Sequence, residues 1–268
     1  MIRDILKYST SKMAVLRLIM NIPATLKMIF SLDIVDDIYR RNMGFEIEEG
    51  AFDRVRNDFI NDMRNAKSYR DVRCVYNNAK SRMRKIALNK PKHPVRIGVV
   101  GEYYTLIDSF SNLEFEKSLA KMGVEVNRCM NISNSLLISP IKGAFNKIKS
   151  YLKYDLKAFP TGIWAKFYQK ECNDYIKYDT GSSSVYTIAS AKRYAKAGFD
   201  GLIHAKTFGC MPEIDAIPVL NNISEDYKIP VLFLSFDTQT SETGIETRLE
   251  AFVDMINLKR KAAGEADF

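Results

Sequence analysis

Ten residues of the sequence, His204 to Glu213, carry an imidazole, an ammonium, a thiol and a carboxylate: His204, Lys206, Cys210 and Glu213. Gly209 and Pro212 flank the thiol. Proline suits the first turn of a helix, so Cys210 is expected just before a helix N-terminus. Unpaired backbone N–H groups and the helix dipole favour a thiolate there, the form that attacks electrophiles or binds metal. A buried packing cysteine is the alternative. Nucleophilic Cys–His chemistry needs the two side chains in contact, and a spacing of six across a turn does not guarantee it. His204, at the end of a predicted strand, is a candidate ligand-binding residue, with a satisfied structural histidine as the other reading.

Three further loops offer polar groups. Gly101-Glu102-Tyr103-Tyr104 follows a predicted strand but does not read GxGxxG, so a dinucleotide fingerprint is absent. Gly101 permits a tight turn; Glu102 and Tyr103 are ligand-binding candidates, with capping of the turn as the competing role for Glu102. Tyr178-Asp179-Thr180-Gly181-Ser182-Ser183-Ser184 precedes a predicted helix, and its small residues expose N–H groups as an anion nest centred on Ser182. No GK[ST] follows, so the chain is not expected to hydrolyse ATP by itself. Ser235 to Gly244 is rich in hydroxyl and carboxyl groups, suited to a phosphate, an amide, a neighbouring subunit or plain helix capping.

These loops need a scaffold that brings them to one edge. Val95 to Gly101 is a short, β-branched apolar run, the pattern of a strand covered on both faces. Ser111-Asn112-Leu113-Glu114 reads as a capping box opening a helix that stops at Gly123. Val124–Cys129, Phe199–His204 and Ile229–Leu234 are further strands. Val185–Lys196 and Pro212–Ser224 are helices, and Thr243-Gly244-Ile245-Glu246 is a second capping box before a last one. Alternating strands and helices predict an α/β lobe over 95–262: a small doubly wound parallel sheet of about four strands, with a helical insertion at about 138–178. In such a sheet the functional loops gather at the carboxyl ends of the strands.

Residues 1–90 form a helical region preceding that lobe. From Ile47 to Leu88 apolar residues such as Phe52, Val55, Phe59, Ile60 and Met63 recur at helical steps. The prolines of Lys90-Pro91-Lys92-His93-Pro94 end the pattern. Ala14 to Phe30 is apolar but contains Arg17, Pro23 and Lys27, so it predicts a buried helix pair broken at Pro23, neither a membrane span nor a signal peptide.

The composition is that of a globular protein: 268 residues, 46% hydrophobic and 27% charged, with a formal charge of +8. Clusters of lysine and arginine at Lys80–Lys92 and Lys142–Lys157 read as solvated helix faces, and no nucleic-acid motif accompanies them. The four cysteines, Cys74, Cys129, Cys172 and Cys210, include no CxxC pair, which argues against a zinc ribbon or a disulfide framework and for a reducing, cytoplasmic setting. Cys74 and Cys172 are expected to be packing residues, and Cys129 to end a strand near the same edge as Cys210. An iron–sulfur cluster normally takes about four thiolates, so it would need ligands from elsewhere.

Several blocks carry a resemblance. Gly98-Val99-Val100-Gly101-Glu102-Tyr103-Tyr104, Ser111-Asn112-Leu113-Glu114, Gly198 to His204, Phe208-Gly209-Cys210-Met211-Pro212-Glu213 and Thr247-Arg248-Leu249-Glu250-Ala251-Phe252 occur in order between about Val95 and Leu258. Together they resemble the 2-hydroxyacyl-CoA dehydratase-related proteins, most of all those labelled CoA protein activase or activase-related. The resemblance implies paired α/β lobes holding an iron–sulfur cluster through cysteines, an acyl-CoA ligand, and an ATP-dependent activator that delivers an electron. It makes Cys210 the candidate metal ligand. Relatives with double-cubane clusters reduce other small substrates. The family's N-terminal, cysteine-bearing lobe is missing here, and Asp179-Thr180-Gly181-Ser182 stands where a GGHG segment is frequent. The expectation is therefore a subunit, at most, of a lyase- or reductase-type system, its cluster shared with a partner chain. A cluster-free module binding CoA or a partner is the alternative, and Cys210 as the nucleophile of a thiol enzyme is a third reading.

Overall fold

The computed structural model describes residues 12–133, 168–177 and 184–264, the first eight of them as backbone only. The predicted helical insertion, the basic run at Lys142–Lys157 and Ser182 lie outside the described residues, apart from 168–177. The chain divides into two compact units, residues 1–39 with 46–87 and residues 40–45 with 88–268.

The first unit is helical. Helix α1 spans Lys12–Asn42, α2 Ala51–Asn65 and α3 Tyr69–Lys85. The expected break at Pro23 does not occur: α1 runs through it. A proline inside a helix forfeits one backbone hydrogen bond, and the remaining bonds of a 31-residue helix outweigh that loss. Nor is the segment buried throughout, since Met20, Ile22 and Leu26 are exposed. The periodic run from Ile47 divides at Ser68, whose hydroxyl accepts from the Asp71 N–H while the Asp71 carboxylate accepts from the Ser68 N–H. This reciprocal cap starts the second helix of the run, the first having ended at Asn65. Phe52, Val55, Phe59, Met63, Val72, Tyr76 and Met83 are buried, as the 3.6-residue period requires. Cys74, expected to pack, is exposed on α3.

The second unit is a four-stranded, all-parallel sheet. Its strands are β1 (Val95–Gly101), β2 (Val124–Arg128), β3 (Gly201–Thr207) and β4 (Val231–Phe236), in the order β2-β1-β3-β4. Short α4 (Tyr103–Ile107) follows β1, and α5 (Phe115–Lys121) precedes β2. Helices α6 (Ser184–Lys196) and α7 (Met211–Tyr227) pack against each other, as do α5 and α8 (Glu242–Ala262), which covers the sheet on both sides. Ile97, Val99, Val100, Leu202, Ile203 and Leu234 fill the core with Phe115, Ile188, Leu220 and Leu249 from the helices. This is the expected doubly wound α/β fold. No described helix is long and apolar enough to cross a membrane.

The local corrections have physical causes. β3 and β4 each start two residues later than the hydropathy suggests; at β3, Asp200 is held at the strand's entrance, its carboxylate accepting from the Arg96 N–H at 2.7 Å. Ser111 does not cap α5. Asp108 captures it first, accepting from the Ser111 N–H at 3.1 Å, and Glu114 in a left-handed conformation (φ 49°) precedes the helix. At α8 the cap is Ser241, accepting from the Gly244 N–H at 3.2 Å, rather than Thr243.

Winding goes one way from β1 to β2 and the other way to β3, so the carboxyl ends of β1 and β3 flank the switch point. The two strands meet closely there. Gly101 has φ 137°, and a Cβ built on it would lie 2.0 Å from the Ala205 carbonyl oxygen. Only glycine tolerates both conditions. Gly101→Ala is expected to destabilise the α/β unit by more than about 3 kcal/mol; urea denaturation followed by near-UV dichroism checks it, with Gly209→Ala, where a Cβ would meet nothing within 4 Å, as a mild control.

Candidate functional site

The carboxyl edge of the sheet collects most of the residues singled out in the sequence. Glu102 leaves β1 with its N–H donated to the Ala205 carbonyl at 2.9 Å. Its carboxylate caps α4: one oxygen accepts from the Tyr104 N–H at 2.9 Å, the other from the Thr105 N–H at 2.8 Å and the Thr105 hydroxyl at 2.6 Å. Of its two predicted roles, capping is the one these bonds serve. Tyr103 is half-buried against the core, whereas Tyr104 is exposed.

His204 and Glu213 meet although they lie nine positions apart in the chain. Strand β3 is central, with His204 paired to Val100 on one side and Phe233 on the other. Its Nε2 lies 3.0 Å from Glu213 Oε2, and both side chains are 0% exposed. The Thr187 hydroxyl on α6 donates to Glu213 Oε1 at 3.2 Å and lies 3.4 Å from the Gly101 carbonyl. One buried carboxylate thus connects β3, α6 and α7, with the end of β1 in reach. His204 Nδ1 is buried without a hydrogen-bond partner among the described residues, its ring edge-on to Phe233. The imidazole is therefore a core group locked to a carboxylate.

Cys210 occupies the N-cap position of α7, with Pro212 inside the first turn as predicted, and is half-buried. Its carbonyl accepts from the Ile214 N–H at 3.0 Å, but its thiol makes no capping hydrogen bond. The expected depression of its pKa is not found. Burial pushes the thiol above the ordinary cysteine range; the Glu213 amide pulls the other way without being aligned for a cap; the Glu213 and Glu102 carboxylates then outweigh Lys206. The helix terminus favours a thiolate, but two nearby carboxylates and desolvation prevail.

Cys129 follows β2, its N–H donated to the Val99 carbonyl at 3.0 Å. Burial pushes its thiol up to about 12, opposed by the Ser190 hydroxyl. Cys172 is buried in the core beside the Val185 carbonyl, and burial also raises it to about 12. Among the described residues no three His, Cys, Asp or Glu side chains converge as a metal site. An iron–sulfur cluster does not fit this chain's described residues alone; Cys210 offers a single thiol.

The sequence reading named His204 and Cys210 but gave Glu213 no role beyond its block, and it missed Thr187. Glu213 in the first turn after a proline was a visible sign. Its pairing with His204 required knowing that α7 folds back over β3.

These elements define a doubly wound α/β lobe with a thiol at its switch point. No protein-family model matches the sequence, and comparison with curated proteins finds no match.

Two predictions follow from this geometry. Glu213→Ala leaves a buried imidazole facing a void and is expected to cost about 3–5 kcal/mol, whereas the paired change His204→Phe with Glu213→Leu loses less, since an apolar pair removes both desolvated groups; denaturant titration of the single and double variants decides it. Because its pKa is raised, Cys210 carries less thiolate at pH 7 than a free thiol. Its alkylation by iodoacetamide, read by mass spectrometry, should be slower than that of glutathione at pH 7 and still climb with pH beyond the point where glutathione levels off. A fast reaction at neutral pH would instead support the thiol-enzyme reading.

Proposed function

We propose that this chain is one α/β lobe of an iron–sulfur system of the 2-hydroxyacyl-CoA dehydratase-like or double-cubane reductase-like type. Cys210 supplies one thiolate, and a partner chain bearing further cysteines supplies the rest. The observation that carries the reading is the position of Cys210 itself. It stands at the switch point of a parallel sheet, where ligands of such folds bind, at an N-cap position that serine, threonine, asparagine or aspartate fills better, and its thiol does no capping. The blocks shared with the dehydratase-related proteins agree, and they add an ATP-dependent activator as electron donor and an acyl-CoA as ligand. All four cysteines are free, which suits a reducing, cytoplasmic setting.

A second reading is a cluster-free lobe that binds a partner or a CoA ester. It is favoured by the cysteine count, four in the chain with no CxxC pair.

Anaerobic co-expression with the protein encoded beside it separates the two. The expected outcome is a brown complex containing iron and sulfide, with both lost in Cys210→Ser while the two chains still co-purify. A colourless wild-type complex under the same conditions favours the cluster-free lobe.

A further inference from the structure

Lys206 is a second unusual residue at this edge, and neither reading above uses it. It is the penultimate residue of β3 and is only 8% exposed. Its ammonium donates to three neutral oxygens at long distances: the Thr207 carbonyl at 3.4 Å, the Phe208 carbonyl at 3.2 Å and the Ser235 hydroxyl at 3.4 Å. Among the described residues no carboxylate comes within ion-pair distance. The nearby acids are committed elsewhere, Glu102 to the start of α4, Glu213 to His204 and Thr187, and Asp237 to the Gln239 N–H and the Thr240 hydroxyl. Buried charges in proteins are as a rule paired or hold a ligand. This one has only weak neutral acceptors, although a leucine or methionine there would fill the same space without the desolvation penalty.

The register adds a second donor. Lys206 is paired with Ser235 across β3 and β4. Ser235 is half-buried, and toward Lys206 it acts as acceptor, so its own hydroxyl proton remains to be donated. An ammonium and a hydroxyl side by side are the donor set that holds an oxyanion. Residues 207–209 beside them are exposed, and a Cβ on Gly209 would meet nothing within 4 Å, so the approach is open.

We propose that Lys206 and Ser235 form a subsite for an oxyanion, a phosphoryl or carboxylate group of the ligand, at the carboxyl ends of β3 and β4. The group supplies the negative charge that Lys206 lacks and replaces its long contacts with short charge-assisted ones. The subsite stands whether or not Cys210 carries a cluster, and its test needs no metal.

The test is thermal unfolding of the full chain, titrated separately with inorganic phosphate and with succinate against sodium chloride at matched ionic strength. A saturable rise of about 5 °C is expected at roughly 100 times the dissociation constant. Phosphate alone producing it assigns a phosphoryl group; succinate producing it assigns a carboxylate. Lys206→Met should abolish the rise, and Ser235→Ala, which leaves the buried ammonium in place, should weaken it several-fold in the anion concentration required. No saturable rise with either anion, or an undiminished rise in Lys206→Met, overturns the proposal. Should Lys206→Met fail to fold, an unchanged titration of Ser235→Ala overturns the two-donor subsite on its own.

Discussion

The buried carboxylate of Glu213 is the point at which the α/β lobe is tied together. A carboxylate with no exposed surface must be matched by donors, or its desolvation cost unfolds the region around it. Here His204 from the central strand and Thr187 from α6 supply them. The consequence is geometric. Helix α7 is anchored by its first turn to β3 and to α6, so the residue just ahead of that turn, Cys210, is held at the edge of the sheet. Gly101 permits the arrangement from below, because only a residue without a side chain lets β1 end so close to Ala205.

Electrostatics at this edge is a competition among few groups. Glu102 is spent on the short helix after β1, and Glu213 on the imidazole and hydroxyl. Both still act on the Cys210 thiol and raise it, against the pull of Lys206 and the Glu213 amide. A helix N-terminus by itself therefore does not make a reactive thiol. What surrounds the sulfur decides its state, and two carboxylates in a desolvated setting are stronger than one partial dipole. Lys206 is left with three neutral oxygens at long distances and no charged partner among the described residues.

The other end of the sheet is ordinary by comparison. Arg96 donates to the Ala197 and Gly198 carbonyls where α6 ends, and Lys90 pairs with Glu125, holding its carboxylate below the usual range against the opposing effect of burial. Cations at the carboxyl ends of helices match the dipole there. The wide cleft lined by His93, Pro94, Arg96, Asp200 and Arg260 is built from such groups, and each arginine in it is already satisfied by carbonyl oxygens or Asp200.

Much of the architecture was legible in the sequence because it follows from local pattern. Apolar β-branched runs place β1, β2, β3 and β4 to within about two residues, and helical periodicity places the elements between them. The caps were less legible. Ser111 and Thr243 both offered the right side chain at the right spacing, but Ser111 is held in a turn by Asp108 while Glu114 precedes the helix, and Ser241 lay close enough to take the role from Thr243. Pro23 marked a break that a long helix simply absorbed, and Cys74 lay on a helix whose buried face it does not share. By itself the sequence determined the alternation of strands and helices, hence a parallel sheet with its loops at one edge, and it determined that Cys210 precedes a helix. Only the tertiary structure decided which strand lies beside which, that His204 faces Glu213, that the Cys210 thiol titrates high, and that Lys206 is buried beside Ser235. The reason is that periodicity and propensity are local, whereas pairing, burial and charge balance depend on groups brought together from distant positions in the chain.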